Sequence, residues 1–140
     1  MSYISKSIEE TIEIASKLAK TLKKGDCVAL VGDLGAGKTV FTKGIAKGLG
    51  VRDVRYVNSP TFVTIKEYKG KLSLYHFDLY RLDTPNLLDA ENYEEYFYGD
   101  GVTVVEWADK IKGLLPKKRW EIHMSATGED ERGINIRVKR

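Results

Sequence analysis

One segment of the sequence combines an apolar run with a glycine-rich loop: Cys27-Val-Ala-Leu-Val-Gly-Asp-Leu-Gly-Ala-Gly-Lys-Thr39. Its first five residues are all apolar, which predicts a short buried strand over 27–31. The next eight, from Gly32 to Thr39, match the pattern G-x-x-x-x-G-K-[ST]. Glycines let the backbone curl so that its amides point at phosphate oxygens, and a helix starting near Lys38 adds its N-terminal dipole. The stretch therefore predicts a nucleoside triphosphate site between a strand and a helix.

The residue types of this loop predict how it holds a nucleotide. Lys38 can reach the β- and γ-phosphates, and the Thr39 hydroxyl can ligate Mg²⁺. We expect both side chains to be surface groups of the loop. A dinucleotide fingerprint is excluded, because Val40 stands where that motif needs glycine or alanine. The nucleotide-binding residues expected here are Asp33, Gly35, Ala36, Gly37, Lys38, Thr39 and Val40.

Capping residues and helical periodicity predict two helices around the loop. Ser7-Ile-Glu-Glu10 has the form of a capping box, and apolar residues then recur at helical spacing, so we expect a helix over 8–22. A second amphipathic helix follows Lys38 and is closed by Gly50. Both should pack against a sheet.

The β-rich runs predict most of that sheet. Residues 61–68 and 71–78 flank the break Lys69-Gly70, which indicates a hairpin with a two-residue turn. Val102-Thr-Val-Val-Glu106 predicts a buried strand, and a short helical stretch after it ends at Pro116. Between the two, residues 86–97 are expected to be helical or irregular. The last predicted strands cover 119–125 and 133–139.

Composition predicts a soluble single-domain protein, and the order of the predicted helices and strands indicates the α/β class. It has 140 residues, of which 42% are hydrophobic and 31% charged, with a net charge of +3. No apolar run approaches the roughly 20 residues that span a bilayer, and the acidic N-terminal segment does not resemble a secretory signal. Cys27 is the single cysteine, which suits a reducing compartment. We expect one cytoplasmic P-loop NTPase-like domain over residues 1–140, a mixed β-sheet flanked by helices.

Two strand-terminal carboxylates could complete the site. Leu74-Tyr-His-Phe-Asp78 ends in Asp78, the layout of a Walker B strand, and Glu106 ends the strand at 102–106. In open α/β sheets ligands bind at the carboxyl ends of the strands, so both acids could hold Mg²⁺ and position water. The alternative for each is an acid that faces solvent.

Three neighbouring residues have open interpretations. His76 shares a strand face with Asp78, and it could orient that acid, contact nucleotide, or be a hydrogen-bonded core histidine. Trp107 either packs over the site or belongs to the core. Thr61 lies in the loop Asn58-Ser-Pro-Thr61, where a hydroxyl could sense Mg²⁺ or the γ-phosphate; the alternative is a simple turn into a strand.

Four segments together resemble one family, the bacterial TsaE (YjeE) ATPases of tRNA threonylcarbamoyladenosine biosynthesis. They are Gly32-Asp-Leu-Gly-Ala-Gly-Lys-Thr39, Ser59-Pro-Thr-Phe62, His76-Phe-Asp-Leu-Tyr-Arg81 and Val105-Glu-Trp107. The resemblance covers nearly the whole chain.

The resemblance implies an ATP- and Mg²⁺-dependent enzyme that works with the TsaB and TsaD proteins and contacts tRNA indirectly through their complex, away from membranes. It implies that Lys38 and the loop amides bind phosphates, and that Asp78 and Thr61 support hydrolysis. Thr39 and Glu106 would hold Mg²⁺, with Asp78 as a further candidate ligand. The family also uses the start of its N-terminal helix and its C-terminal strands around adenine, where the candidates are Thr11 and Arg132.

Other functions remain open from the sequence. A small-molecule kinase needs an acceptor pocket and a lid, for which 140 residues leave little room. A regulatory GTPase is disfavoured because no Asn-Lys-x-Asp occurs. The third alternative is a nucleotide-dependent binding module without turnover.

Overall fold

The structure of the protein is a computed structural model that describes residues 1–33, 35–52, 57, 65–80 and 93–140. Its strands are β1 (Ser2–Ser5), β2 (Cys27–Val31), β3 (Ile65–Tyr68), β4 (Leu74–Asp78), β5 (Val102–Glu106), β6 (Arg119–Ala126) and β7 (Arg132–Lys139). Its helices are α1 (Ile8–Ala19), α2 (Lys38–Gly48) and α3 (Tyr93–Phe97), with a 3₁₀ segment at Ala108–Leu114.

The strands form one mixed sheet in the order β1-β7-β6-β2-β5-β4-β3. The four central strands are parallel, and antiparallel partners extend the sheet at both margins. This arrangement confirms the predicted fold class, a mixed sheet flanked by helices. Within the described part of the chain, no helix is long and apolar enough to cross a membrane.

The capping box at the start of α1 is confirmed. Ser7 accepts a hydrogen bond from the backbone N–H of Glu10 at 3.1 Å, while the Glu10 carboxylate accepts from the backbone N–H of Lys6 at 3.0 Å. The first bond satisfies an amide that the first turn of a helix leaves unpaired, and the second ties the residue before the cap to the helix. The helix ends at Ala19, three residues short of the predicted end, and turns follow it.

Helices α1 and α2 meet along a seam of small residues. A Cβ atom added at Gly44 would lie 2.5 Å from the Cβ of Ala15, and one added at Gly48 would lie 2.5 Å from the Cβ of Ala19. Glycine at these two positions lets the helix backbones approach more closely than any larger residue would allow. We call this contact the glycine seam.

Apolar side chains cover both faces of the sheet. On one face, Phe41 and Ile45 of α2 pack against the strands and are fully buried. On the other, Phe97 of α3 and Ile111 of the 3₁₀ segment pack beside Phe77. Full burial of such side chains stabilises the fold by about 1.5–3 kcal/mol each. Because both faces are covered, the site is confined to an end of the strands.

Two details of the sheet differ from the sequence predictions. The two-residue hairpin turn is wrong: Tyr68 pairs with Leu74, so five residues connect β3 and β4. The connection is bonded to the end of helix α2, since Lys71 donates its backbone N–H to the carbonyl of Leu49 at 2.8 Å. Strand β1, which pairs with β7, was not predicted. The parts of the predictions over 61–64 and 86–92 lie outside the described residues.

The remaining predicted elements are confirmed with small shifts. Strands β2 and β5 have the predicted bounds, and β6 and β7 each extend the prediction by one residue. The helical stretch before Pro116 is the 3₁₀ segment.

Candidate nucleotide-binding site

The loop between β2 and α2 has the backbone expected of a phosphate loop. Gly35 and Gly37 adopt φ angles of 84° and 97°, a left-handed conformation that glycine adopts without strain. Gly37 occupies the N-cap position of α2 and has no side chain to cap the helix. The first turn of α2 also contains no acidic residue. Backbone N–H groups and the positive end of the helix dipole are therefore available to an anion.

Lys38 is buried, so its predicted position as a surface group is wrong. Only 5% of the residue is exposed. Its Nζ donates to the carbonyl oxygens of Gly32 at 2.5 Å and Asp33 at 2.9 Å, and it lies 3.9 Å from the centroid of the Trp107 ring. These contacts hold the ammonium group inside the loop whose amides would surround phosphates.

Burial lowers the pKa of Lys38 below its usual value, because desolvation penalises the charged form. The carboxylates of Glu106, Asp109, Asp33 and Asp78 act in the opposite direction. A cation that has already lost much of its water can contact phosphate oxygens at a smaller desolvation cost than a fully hydrated one.

Glu106 is the most enclosed acid of the site. It ends β5 with 2% of its surface exposed, which excludes a solvent-facing role. Its Oε1 accepts a hydrogen bond from Thr39 Oγ1 at 3.0 Å, and its Oε2 lies 2.5 Å from His76 Nε2. Thr42 Oγ1 lies 3.4 Å from the same Oε2. The carboxylate therefore joins the first turns of α2 to strand β4.

Asp78 ends β4 directly beside Glu106. The two residues are paired in the parallel register of β4 and β5, so their side chains leave the same face of the sheet. Asp78 is partly exposed, and its Oδ1 accepts a hydrogen bond from the backbone N–H of Tyr80 at 3.0 Å. The structure thus brings the two predicted acids together at the end of the strands where the phosphate loop lies.

Trp107 packs over the site, as one of its two interpretations predicted. Its φ angle of 61° is the one left-handed value among the described non-glycine residues. The ring contacts Lys38 on one side and lies 5.1 Å, centroid to centroid, from Tyr80. A left-handed tryptophan costs backbone energy, and such strain is typical of functional sites.

The sequence matches a family model over most of its length. The model, described as threonylcarbamoyl adenosine biosynthesis protein TsaE, matches residues 5–134. The chain belongs to the TsaE family. The resemblance carried by the four sequence segments is thereby confirmed.

Curated relatives and a solved structure agree with this assignment. A Bacillus subtilis protein named tRNA threonylcarbamoyladenosine biosynthesis protein TsaE is 51% identical over 129 residues, which are 91% of this chain and 79% of that protein. A Treponema pallidum protein of the same name is 35% identical over 97% of this chain and 99% of its own. The crystal structure of Bacillus subtilis YdiB superposes with a TM-score of 0.84 at 42% identity, covering 100% of this chain and 86% of that one.

The two candidate adenine contacts in this TsaE-family chain are linked by β1. Thr11 is buried, and its hydroxyl lies 2.7 Å from that of Ser5. Ser5 in turn pairs with Arg132 in the β1–β7 register. The guanidinium of Arg132 lies beside the phosphate loop, 3.8 Å from the point where a Cβ on Gly37 would be. Arg132 is therefore close to the loop, whereas the contact of Thr11, on the first turn of α1, is with Ser5.

The oxygen-rich donor set fits Mg²⁺. The Thr39 hydroxyl, the Glu106 carboxylate and the Asp78 carboxylate are hard ligands of the kind Mg²⁺ prefers. No group of three or more His, Cys, Asp or Glu side chains among the described residues could hold a metal ion on its own.

Some of the other predicted site residues lie in the described part of the chain and some do not. Ala36 is buried, Val40 is partly buried and Asp33 is exposed at the loop. Thr61 and the Ser59-Pro60 segment before it lie outside the described residues.

Two contacts of the site were missed from the sequence. The partner of His76 proved to be Glu106, which lies 30 residues along the chain, and the signal for it was the alternation that puts residues 76 and 78 on one strand face. Thr42 was also missed, although it follows Lys38 by one helical turn and therefore shares its face of α2.

Proposed function

We propose that this chain is a Mg²⁺-dependent P-loop ATPase that acts with TsaB and TsaD in threonylcarbamoyl modification of tRNA. The modified nucleoside is the adenosine next to the anticodon in tRNAs reading codons that begin with A. ATP binding and hydrolysis would drive or reset the partner complex. Membership of the TsaE family and the names of the relatives support the pathway.

One observation carries the ATPase part of the proposal. Lys38, Thr39 and Glu106 meet at the carboxyl ends of β2 and β5, with a buried carboxylate 3.0 Å from the Thr39 hydroxyl. A phosphate loop beside a strand-terminal acid is the arrangement that P-loop NTPases use to hold a metal–nucleotide complex.

Each residue has a separate task in the proposed reaction. The N-terminal amides of α2 and Lys38 bind the phosphates and stabilise charge on them. Thr39 and Glu106 would hold Mg²⁺, and the bound ion would neutralise phosphate charge. Asp78 would orient a water molecule, and Thr61 is proposed to support hydrolysis from its loop. Trp107 keeps Lys38 directed into the loop through its ring face.

Hydrolysis is proposed to depend on partner proteins, since the segment that follows Asp78 supplies a single basic side chain. Intrinsic hydrolysis by P-loop proteins is slow until transition-state charge is stabilised, and an arginine at the γ-phosphate can be worth roughly 10³–10⁵ in rate. Arg81 is the one basic residue between 78 and 109 in the sequence. We therefore propose weak hydrolysis by the isolated chain and stimulation when the TsaB–TsaD pair docks.

The test is steady-state phosphate release by purified protein with Mg²⁺ and ATP. The protein is measured alone and titrated with the TsaB–TsaD pair, at low and high salt. We expect slow release alone and a rise with the partners. Stimulation should weaken at high salt, because the acidic stretch 89–100 or the basic segments on either side of it would contribute to docking.

The matched pair for this test is Lys38→Ala and Lys47→Ala. Both lysines lie on α2, but Lys47 is exposed in the last turn. Lys38→Ala should lose release with or without partners, whereas Lys47→Ala should retain it. Vigorous release without any response to the partners would contradict the proposal and favour an independent enzyme. Nucleotide binding with no release under any condition would favour a binding module.

A further inference from the structure

His76 is a buried polar side chain that the proposed reaction does not use. It has no exposed surface, and it faces the apolar layer formed by Leu74, Val102 and neighbouring residues. Its Nε2 lies 2.5 Å from Glu106 Oε2. Its Nδ1 is also buried, and no hydrogen-bond partner for it exists among the described residues. A histidine kept only for packing would be replaced by an apolar side chain without the cost of burying an unpaired nitrogen.

The contact with Glu106 determines which ring nitrogen donates. A carboxylate can only accept, so a hydrogen bond to it requires the proton on Nε2. The ring is fixed on β4, where His76 pairs with Val104, and it reaches diagonally to the end of β5. The donor is therefore held by two paired strands rather than by a loop.

One oxygen of Glu106 is thereby reserved for His76. With Oε2 bound to the ring, Oε1 is the oxygen that meets the Thr39 hydroxyl at 3.0 Å. Thr42 Oγ1 also lies 3.4 Å from Oε2, but it is the weaker partner, because the same hydroxyl can donate its one proton to the carbonyl of Lys38 at 3.0 Å. His76 makes the shortest of the described contacts to this carboxylate.

We propose that His76 is a positioning residue for Glu106. It donates through Nε2 to one carboxylate oxygen, so that the other oxygen is presented to Thr39 and, on the basis of the proposed function, to the Mg²⁺ of the nucleotide complex. His76 touches neither nucleotide nor metal and acts through Glu106. Because His76 and Asp78 share one face of β4, the same strand fixes both acids relative to α2.

Three variants separate positioning from packing. His76→Gln keeps a donor near the place of Nε2, since the glutamine amide reaches a similar distance from the backbone. His76→Leu fills the space without a donor. Leu74→Ala is the matched control, because Leu74 lies on the same face of the same strand, is fully buried, and leaves a cavity without touching Glu106.

The first measurement is the affinity for a non-hydrolysable ATP analogue, by calorimetry, with and without Mg²⁺. Loss of a side chain that orients a metal ligand typically costs 10–100-fold in metal affinity. We expect His76→Leu to lose roughly that factor from the Mg²⁺-dependent gain while its affinity without Mg²⁺ changes less than about twofold. His76→Gln and Leu74→Ala should keep the gain. A full gain in His76→Leu, or equal losses in all three variants, would overturn the proposal.

The second measurement needs no nucleotide and keeps the two proposals apart. Nitrogen NMR of the ligand-free protein should find the proton of the His76 ring on Nε2, and amide exchange at residues 39–42 should accelerate in His76→Leu but not in His76→Gln. If the parent protein gains no affinity from Mg²⁺, the proposed function fails, and these two results still decide the positioning role. A ring protonated only on Nδ1, or unchanged exchange in His76→Leu, would refute it.

Discussion

The two ends of β2 and β5 use buried polar groups differently. At the amino ends, each group has a separate partner: Thr103 donates its hydroxyl to the carbonyl of Tyr96 at 3.1 Å, and its backbone N–H bonds the carbonyl of Asp26 at 3.0 Å. At the carboxyl ends, Thr39 and His76 converge on the single carboxylate of Glu106. The amino end distributes its hydrogen bonds, whereas the carboxyl end concentrates them.

The difference indicates which end the fold uses for stability. Where each hydrogen bond has its own pair of groups, removing one bond costs the stability that this bond contributed and leaves the others intact. A shared buried carboxylate with a desolvated lysine nearby is expensive to maintain, and Trp107 adds a left-handed backbone conformation. Groups that are costly in this way are retained where they have a functional task. Substitutions at the carboxyl end should therefore lower turnover, whether or not they also lower stability, and substitutions at the amino end should lower stability alone.

The largest effect is expected for the phosphate-loop pair. Lys38→Ala and Thr39→Ala should each reduce Mg²⁺-dependent ATP hydrolysis by at least about 10²-fold, the usual loss when one preorganised transition-state contact is removed. Thermal unfolding should shift by no more than a few degrees, since burial already penalises the Lys38 charge. Phosphate release and calorimetry check the two parts. Hydrolysis at the parental rate by either variant would contradict the assignment of this loop.

The two acids should differ in stability although both lose turnover. Asp78→Asn and Glu106→Gln keep size but remove charge, so hydrolysis should fall more than nucleotide binding. Glu106→Gln should also lower the free energy of unfolding by about 1–3 kcal/mol. The glutamine NH₂ group would face either His76 or Thr39, each of which donates to the carboxylate in the parent protein. Asp78→Asn should lower the free energy of unfolding by less, because Asp78 is partly exposed. Urea denaturation gives the comparison, and unchanged turnover in Glu106→Gln would remove that residue from the site.

The amino end should respond in the opposite manner. Thr103→Val preserves shape but leaves the Tyr96 carbonyl without its hydroxyl partner, which should cost about 1–2 kcal/mol of unfolding free energy. The rate of ATP hydrolysis should stay within about twofold of the parent. A loss of turnover comparable to that of Glu106→Gln would break the division between the two ends.

The smallest effect concerns Cys27, which is buried at the amino end of β2. Burial raises the pKa of its thiol to about 12. At pH 8 the native protein should therefore be alkylated roughly 10³-fold more slowly than the unfolded chain. Stability should be insensitive to this group near neutrality and fall between about pH 9 and 12, where the unfolded thiol loses its proton first. Equal labelling rates in buffer and in denaturant would contradict the burial.

Local patterns were sufficient to predict the centre of the fold. The bounds of β2 and β5 follow from short apolar runs, and α1 follows from its capping box and periodicity. Strand β1 could not be predicted in this way, because its four residues gain their bonds from β7 at the other end of the chain. The predicted length of the β3–β4 turn was wrong for a similar reason. The turn is bonded to Leu49 at the end of α2, a contact that the sequence of the hairpin does not show.

The site was predictable in composition but not in contacts. The motif identified Lys38 and Thr39, and strand ends identified Asp78 and Glu106. The burial of Lys38 depends on the ring of Trp107, the residue that follows β5. The contact between His76 and Glu106 depends on how β4 and β5 are aligned in the sheet. The distances from Lys38 to Trp107 and from His76 to Glu106 depend on the assembled sheet, so they cannot be predicted from the sequence of a single strand.

The glycine seam makes the alignment of the phosphate loop depend on residues that touch no ligand. Gly44 lies six residues after Lys38, about 9 Å along the helix axis, and a methyl group there would meet both Ala15 and the backbone of Ile12. The helix would have to shift, which would change the distance between Thr39 and Glu106. Glycine weakens a helix by roughly 0.5–1 kcal/mol relative to alanine, so the close packing at these two positions lowers the helix propensity of α2. Substitutions at the glycine seam would therefore alter the geometry of the candidate site while leaving every residue of that site unchanged.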